Sequence, residues 1–118
     1  MTLDTPNFQR LMDLHAQAYK HFKNGRLDTN GLQPIEDGFK ETLKNIQSLD
    51  PPASLLTLHN LQIKYAEDYI KGLDYAFAGD SVSSLGYLLY TDQDLKAIKA
   101  EIDRLTKLCP GSNDVQPG

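Results

Sequence analysis

The fold is decided by residues 56–77, which read LTLHNLQIKYAEDYIKGLDYAF. Apolar or aromatic side chains and one histidine recur there at alternating spacings of three and four, which places them on one stripe of a single helix. A long helix with such a stripe must lie against other helices to bury it. The segment therefore predicts an all-α protein. The stripe consists of Leu56, His59, Ile63, Ala66, Ile70, Leu73 and Phe77.

Prolines and glycines divide the rest of the chain into three further amphipathic segments. Proline fits only the first turn of a helix, and glycine is common just after the last turn. Gly79 ends the long helix, and either Asp80 or Ser81 is expected to cap the next one. The predicted helices run from about Pro6 to Asn24, Pro34 to Ser48, Pro52 to Ala78 and Ser81 to Leu108, with a loop at residues 25–33.

Four amphipathic helices with short connections predict an antiparallel up-down-up-down four-helix bundle. We expect residues 1–109 to form a single helical-bundle domain and residues 110–118 to be a disordered C-terminal tail, because the tail is polar and rich in proline and glycine. Thr91-x-x-Asp94 resembles a capping box, so a break in the last helix between Gly86 and Asp92 remains an alternative.

Composition and charge exclude several functional classes. The chain has 12 basic and 16 acidic residues and a net charge of −4, so it has no basic footprint for nucleic acid. Cys109 is the only cysteine, which excludes an internal disulfide and a cysteine-rich zinc site. No apolar run is long enough for a transmembrane segment, and residues 1–6 lack the pattern of a signal peptide.

No catalytic or cofactor motif is present in the sequence. Phosphate-binding glycine loops, HExxH and the EF-hand loop are all absent. No glutamate is followed three residues later by histidine, as di-iron bundles require. Gly79-Asp80-Ser81 superficially matches the start of a serine-hydrolase motif, but its place between two helices indicates a helix cap. We therefore expect a non-enzymatic protein with no cofactor and no metal.

His15 and His59 are the first candidate site residues, because each interrupts an apolar stripe. In an up-down-up topology their helices run parallel, and their heights in the bundle could match. They could then face one pocket and bind a small ligand or cofactor, or sense pH. The alternative is that each ring lies at the bundle edge or bonds a hydroxyl such as that of Thr42. Two imidazoles without a carboxylate make a poor metal site.

Four tyrosines are the second set of candidates. Tyr65 and Tyr69 lie one turn apart on the third helix, and Tyr87 and Tyr90 lie on the fourth. Tyrosine combines apolar area with a polar tip, which suits a surface that binds a partner. Packing at the edge of the core is the alternative. The adjacent acidic pairs, such as Glu36-Asp37 and Glu67-Asp68, are interpreted as solvated helix faces.

The stretch LDPPASLLTLH at residues 49–59, followed by Tyr65, Tyr69 and Gly79-Asp80, resembles uncharacterised bacterial helical-bundle proteins, many of them envelope lipoproteins. In those proteins a Pro-Pro pair begins a long helix and a Gly-Asp turn leads to the last one. The resemblance covers about residues 46–108 and implies no catalytic residues. The lipid-attachment cysteine of such proteins is missing here.

The leading functional prediction is a non-enzymatic bundle that binds another protein, as a monomer or a homo-oligomer, or acts as an envelope-associated module. The alternative is a small-ligand or cofactor-binding bundle that uses a pocket at His15 and His59. The residues themselves do not decide the compartment. The resemblance favours the cell envelope over the cytoplasm.

Overall fold

The structure, a computed structural model, describes residues 5–108, most of which belong to four helices packed against one another. The all-α prediction is confirmed. The described part is elongated and measures 49 × 24 × 23 Å. Cys109 and the predicted tail at residues 110–118 lie outside the described residues. The helices are α1 (Thr5–Tyr19), α2 (Gln33–Gln47), α3 (Leu56–Phe77) and α4 (Ser81–Leu108).

A short hairpin, absent from the sequence-based prediction, joins α1 to α2. Strand β1 (Phe22–Lys23) pairs antiparallel with β2 (Arg26–Leu27). Asn24 and Gly25 form the turn with φ of 53° and 78°, which is the left-handed backbone that an Asn-Gly hairpin requires. The prediction that α1 continues to Asn24 was therefore wrong, because the helix ends at Tyr19 and the chain enters strand β1 before it reaches Asn24.

Helix α3 begins later than predicted and turns a different side toward the core. A 3₁₀ turn (Ala53–Leu55) follows Pro52, and the α-helix starts at Leu56. Within the predicted stripe, Leu56 and Phe77 are exposed and Ile63 and Ile70 are only half-buried. The buried face is rotated by roughly 90° from the prediction, since each residue advances the helix by about 100°. The buried face consists of Leu58, Gln62, Tyr65, Ala66, Asp68, Tyr69, Gly72 and Leu73.

The connection between α3 and α4 is tight, as predicted. Gly79 has a φ of 80°, and the Asp80 and Gly79 amides donate to the carbonyls of Tyr75 and Ala76. This is the Schellman arrangement that ends many helices. The Asp80 carboxylate then caps α4 by accepting a hydrogen bond from the Ser83 amide at 3.0 Å.

Helix α4 runs without a break from Ser81 to Leu108, which excludes the alternative of two shorter helices. Thr91 is buried in mid-helix, and its hydroxyl donates to the Leu88 carbonyl at 2.6 Å instead of capping a new helix. Ile98 and Leu105, which are seven residues apart on α4, are buried in the core.

Two helical glycines mark close contacts between helices. The Gly72 carbonyl on α3 accepts a hydrogen bond of 2.7 Å from the Ser84 hydroxyl on α4. On α2, a Cβ atom at Gly38 would lie 2.6 Å from the Leu14 side chain on α1. Each glycine thus lets a neighbouring helix approach more closely than a larger residue would allow.

Candidate functional site

A cavity of about 430 Å³ lies between α1, α3 and α4. We call it the His15 cavity. Its volume falls within the range typical of small-molecule sites, and most of its lining is apolar or aromatic. It is lined by His15 and Tyr19 of α1, Phe22 of β1, Tyr65 and Tyr69 of α3, and Leu85, Leu88, Leu89, Thr91, Asp92 and Leu95 of α4.

The floor of the His15 cavity is held by aromatic contacts inside the core. Tyr69 stacks on Phe39 of α2, with ring centroids 4.2 Å apart and planes 18° from parallel. Tyr65 meets Tyr69 edge to face at 5.6 Å. Both tyrosines are buried, so neighbouring side chains fix their rings. This part of the cavity is formed before any ligand arrives.

The polar centre of the cavity is a hydrogen bond between α1 and α3. His15 Nδ1 and the Tyr69 hydroxyl oxygen are 2.8 Å apart, and the two rings meet nearly at right angles. Burial lowers the pKa of His15 from its ordinary value of 6.5, against the opposing influence of the Asp92 carboxylate, and Lys99 lowers it further. Burial also raises the pKa of Tyr69 above the normal range. Both groups are therefore uncharged at neutral pH.

The Tyr65 hydroxyl has no hydrogen-bond partner among residues 5–108, although the residue is 99% buried. Buried hydroxyls are nearly always paired, with protein, water or a ligand. Burial raises the pKa of Tyr65 above the normal range, so the hydroxyl keeps its proton and remains able to donate. The hydroxyl atom is itself buried, so this unpaired donor lies within the wall of the cavity and not on its open surface.

The mouth of the cavity is apolar and open to solvent. Tyr19 of α1 and Leu89 of α4 line the cavity there and are 68% and 66% exposed. Asp92 lies on the same side of α4, and its carboxylate pairs with Lys96 at 3.3 Å. Asp92 is the one formally charged side chain among the lining residues that the structure describes.

The predicted site residues separate into two groups. His15, Tyr65 and Tyr69 line the cavity together, whereas His59 does not line it. His59 precedes Tyr69 by ten residues, about 15 Å along α3, and Tyr69 is the residue that His15 contacts. The structure therefore offers no shared pocket at His15 and His59.

Tyr87 and Tyr90 lie outside the His15 cavity, on another side of α4. Tyr87 stacks on Tyr75 of α3 at 5.6 Å with planes 13° apart, and Tyr90 meets Tyr87 edge to face. The ammonium groups of Lys71 and Lys64 lie 5.5 Å and 6.0 Å from the Tyr87 and Tyr90 ring centroids. These tyrosines and lysines form a partly exposed aromatic face rather than part of the pocket.

Sequence reasoning missed the α4 wall and Phe22. Leu85, Leu88 and Leu89 fall in a segment where apolar side chains surround the helix, so periodicity does not show which of them face a cavity. Phe22 is positioned by the hairpin, and the Asn24-Gly25 dipeptide was the signal that could have found it. Nothing in the sequence marked Asp92 as a cavity residue, because its only pattern is the four-residue spacing to Lys96.

The interpretation of the acidic pairs as solvated faces was wrong for Glu36 and Asp68, which are both buried. Glu36 is 97% buried, and burial together with the nearby Asp74 raises its pKa to about 7. One of its carboxylate oxygens is unpaired among the described residues, while the other accepts from Gln33 at 3.2 Å. A carboxyl group that stays protonated up to about pH 7 can donate a hydrogen bond to a second carboxylate.

A second carboxyl pair joins α3 to α4. Lys64 Nζ lies 2.8 Å from Asp68 and 3.0 Å from Asp94. Burial, and then Asp68, raise the pKa of Asp94 to about 6. Burial alone would raise the pKa of Asp68 as well, but hydrogen bonds to Asp94 and Lys64 lower it. The two carboxyl groups therefore influence each other's titration beside Lys64 at the helix interface.

Comparisons with known proteins identify no relative. No protein-family model, curated protein or solved structure matches the chain. Across residues 5–108, no three His, Cys, Asp or Glu side chains are grouped to hold a metal ion. None of the helices described has both the length and the apolar character needed to cross a bilayer.

Proposed function

We propose that the protein is a non-enzymatic four-helix bundle of up-down-up-down topology that binds a small, largely apolar molecule in the His15 cavity. One observation carries the proposal: a preformed cavity has a mostly apolar lining around the His15–Tyr69 hydrogen bond. Apolar walls with a few convergent polar groups are typical of small-molecule sites.

The chemistry of the cavity supports binding rather than catalysis. His15 and Tyr69 are both uncharged and are bonded to each other. Thr91, the aliphatic hydroxyl in the lining, already donates to a backbone carbonyl. The described lining therefore holds no serine, threonine or cysteine nucleophile next to a base. The hydroxyl that does lie beside an imidazole is that of Tyr69, and burial raises its pKa, which makes it a poor nucleophile.

The protein-interaction function, which led the predictions from sequence, remains a prediction. Its candidates Tyr87 and Tyr90 belong to a partly exposed aromatic face. The envelope location implied by the resemblance likewise remains a proposal. We rank ligand binding first because the His15 cavity has a mostly apolar lining around the His15–Tyr69 hydrogen bond.

A neutral fluorescent dye tests the proposed function. N-phenyl-1-naphthylamine is apolar and carries one hydrogen-bonding nitrogen, and its emission rises when it leaves water. We expect saturable binding to the full chain. Leu89→Glu, at the exposed mouth of the cavity, should weaken binding about tenfold, since a buried leucine contact contributes roughly 1.5 kcal/mol.

Val82→Glu is the matched control. Val82 is on the same helix and is 83% exposed, but it does not line the cavity. The dye's affinity should not change in this variant. No saturable binding to the unaltered protein, or equal weakening in the two variants, would contradict the proposed function.

A further inference from the structure

We propose that the His15 cavity selects a hydrophobic cation, an organic ammonium ion with an apolar body, over neutral or anionic molecules of the same shape. The inference rests on the proposed function and specifies the class of its ligand. The carrying observation is that a single carboxylate, Asp92, accompanies a continuous series of aromatic rings in one apolar cavity.

The charge of the lining favours a cation. Asp92 contributes a negative charge, and no lysine or arginine is among the lining residues described. Its ion pair with Lys96 is solvent-exposed, with 63% and 76% of the two side chains accessible. Such pairs contribute little to stability, so a ligand's ammonium group can replace Lys96 at small cost. A ligand carboxylate or phosphate would instead be repelled by Asp92, and Lys96 would offset that repulsion only from the exposed side of the pair.

The aromatic rings form an unbroken path from the mouth to the floor of the cavity. Phe22 and Tyr19 are 6.2 Å apart, Tyr19 and His15 are 6.3 Å apart, and His15 and Tyr69 are 5.7 Å apart, measured between ring centroids. Tyr65 extends the path at 5.6 Å from Tyr69. Aromatic rings attract ammonium groups through their quadrupoles, and enclosed sites strengthen the attraction.

His15 does not repel a bound cation at neutral pH. Burial keeps its pKa below the ordinary value, so the imidazole is uncharged there. Together with Tyr69 it supplies polarity without repulsion. On the opposite wall Leu85, Leu88 and Leu95 offer a surface for the apolar body of the ligand.

Three probes of nearly equal shape test the inference: benzyltrimethylammonium, its neutral carbon analogue neopentylbenzene, and the anion benzylsulfonate. Methyl NMR titrations of the full chain give the three dissociation constants. We expect the cation to bind about tenfold more tightly than the anion, with the neutral probe between them. Equal affinities of the cation and the anion would overturn the inference.

Asp92→Asn and Asp103→Asn form a matched pair of variants. Asp103 lies on the same helix and forms an equivalent exposed pair with Lys107 at 3.0 Å, but it does not line the cavity. We expect Asp92→Asn to weaken cation binding about fivefold and to leave neopentylbenzene binding unchanged. Asp103→Asn should change neither affinity.

The outcomes separate the inference from the proposed function. Binding of neopentylbenzene without any preference for the cation would overturn the charge selectivity and leave the cavity as a ligand site. Equal effects of the two variants would show that only overall charge matters, which also overturns the inference. Failure of every probe to shift the cavity methyl signals would overturn both proposals.

Discussion

The Nδ1 atom of His15 and the hydroxyl oxygen of Tyr69 are 2.8 Å apart, which joins the C-terminal part of α1 to α3. Tyr69 also stacks on Phe39 of α2, so one side chain connects three helices. This connection holds α1 in place at one side of the His15 cavity. The cavity and the core are therefore stabilised by the same residue.

Tyr69→Phe should destabilise the protein by about 1–2 kcal/mol, because it leaves the partly buried His15 Nδ1 without a partner and keeps the ring stack. Urea denaturation measures the change. Tyr90→Phe is the control: Tyr90 is 51% exposed, and the loss of its hydroxyl should cost less than about 0.5 kcal/mol. Equal effects of the two substitutions would contradict a structural role for the hydrogen bond.

Protonation of His15 should destabilise the folded protein. Its pKa in the folded protein is below 6.5, so the unfolded chain binds the proton more tightly. The His15 contribution to the free energy of unfolding should be complete above pH 6.5 and should fall as the pH decreases through that value. The charged groups that act on His15 are Asp92 and Lys99, so both are retained in the test.

The difference in unfolding free energy between the unaltered protein and His15→Gln, measured from pH 8 to pH 5, isolates this contribution. Glu36 and Asp94 titrate in both proteins and cancel in the difference. We expect the unaltered protein to lose stability relative to the variant as the pH falls. A difference that stays constant across the range would show that His15 is not held neutral by burial.

Glu36→Gln should stabilise the protein at alkaline pH. The pKa of Glu36 is raised to about 7, so its favourable contribution is present at low pH and is lost as the pH rises through 7. Glutamine retains the shape and remains uncharged. We expect a gain of roughly 1–3 kcal/mol at pH 8.5 that shrinks toward zero at pH 5.

Glu41→Gln is the control for this experiment, because Glu41 is an exposed residue of the same helix. It should change stability by less than about 0.5 kcal/mol at either pH value. A gain for Glu36→Gln that is the same at both pH values would refute the buried-proton account.

Two helical glycines should respond in opposite directions to alanine. At Gly38 the new Cβ would lie 2.6 Å from a methyl group of Leu14, which is buried and has little room to move. We expect Gly38→Ala to destabilise by about 1–2 kcal/mol despite the better helix propensity. At Gly86 no atom outside its own helix lies within 4 Å of the new Cβ, so Gly86→Ala should stabilise by about 0.5–1 kcal/mol. Thermal denaturation of the two variants shows whether their changes in stability have opposite signs. If both substitutions stabilise the protein, α1 and α2 are not closely packed at Gly38.

The sequence was sufficient for the number and approximate positions of the helices, because prolines and glycines separate them. It misplaced the end of α1 and the start of α3. The sequence did not show which side of α3 is buried. Gln62, Tyr65 and Gly72 lie in the core, but they are not counted as apolar in the helical periodicity. The sequence also did not show that Glu36 is buried near Asp74, because that depends on which helices become neighbours. For the candidate site, His15, Tyr65 and Tyr69 were predicted from the sequence and line the cavity, but their role there stays a prediction. The leucines of α4 had no distinguishing pattern.

The most direct test of the central claim is to locate a bound probe by intermolecular nuclear Overhauser effects. The protein is labelled at its leucine methyl groups and saturated with N-phenyl-1-naphthylamine. The account predicts contacts between the dye and the methyl groups of Leu85, Leu88 and Leu95, which line the His15 cavity. Contacts confined to Leu49 and Leu56, which are exposed elsewhere, would contradict it.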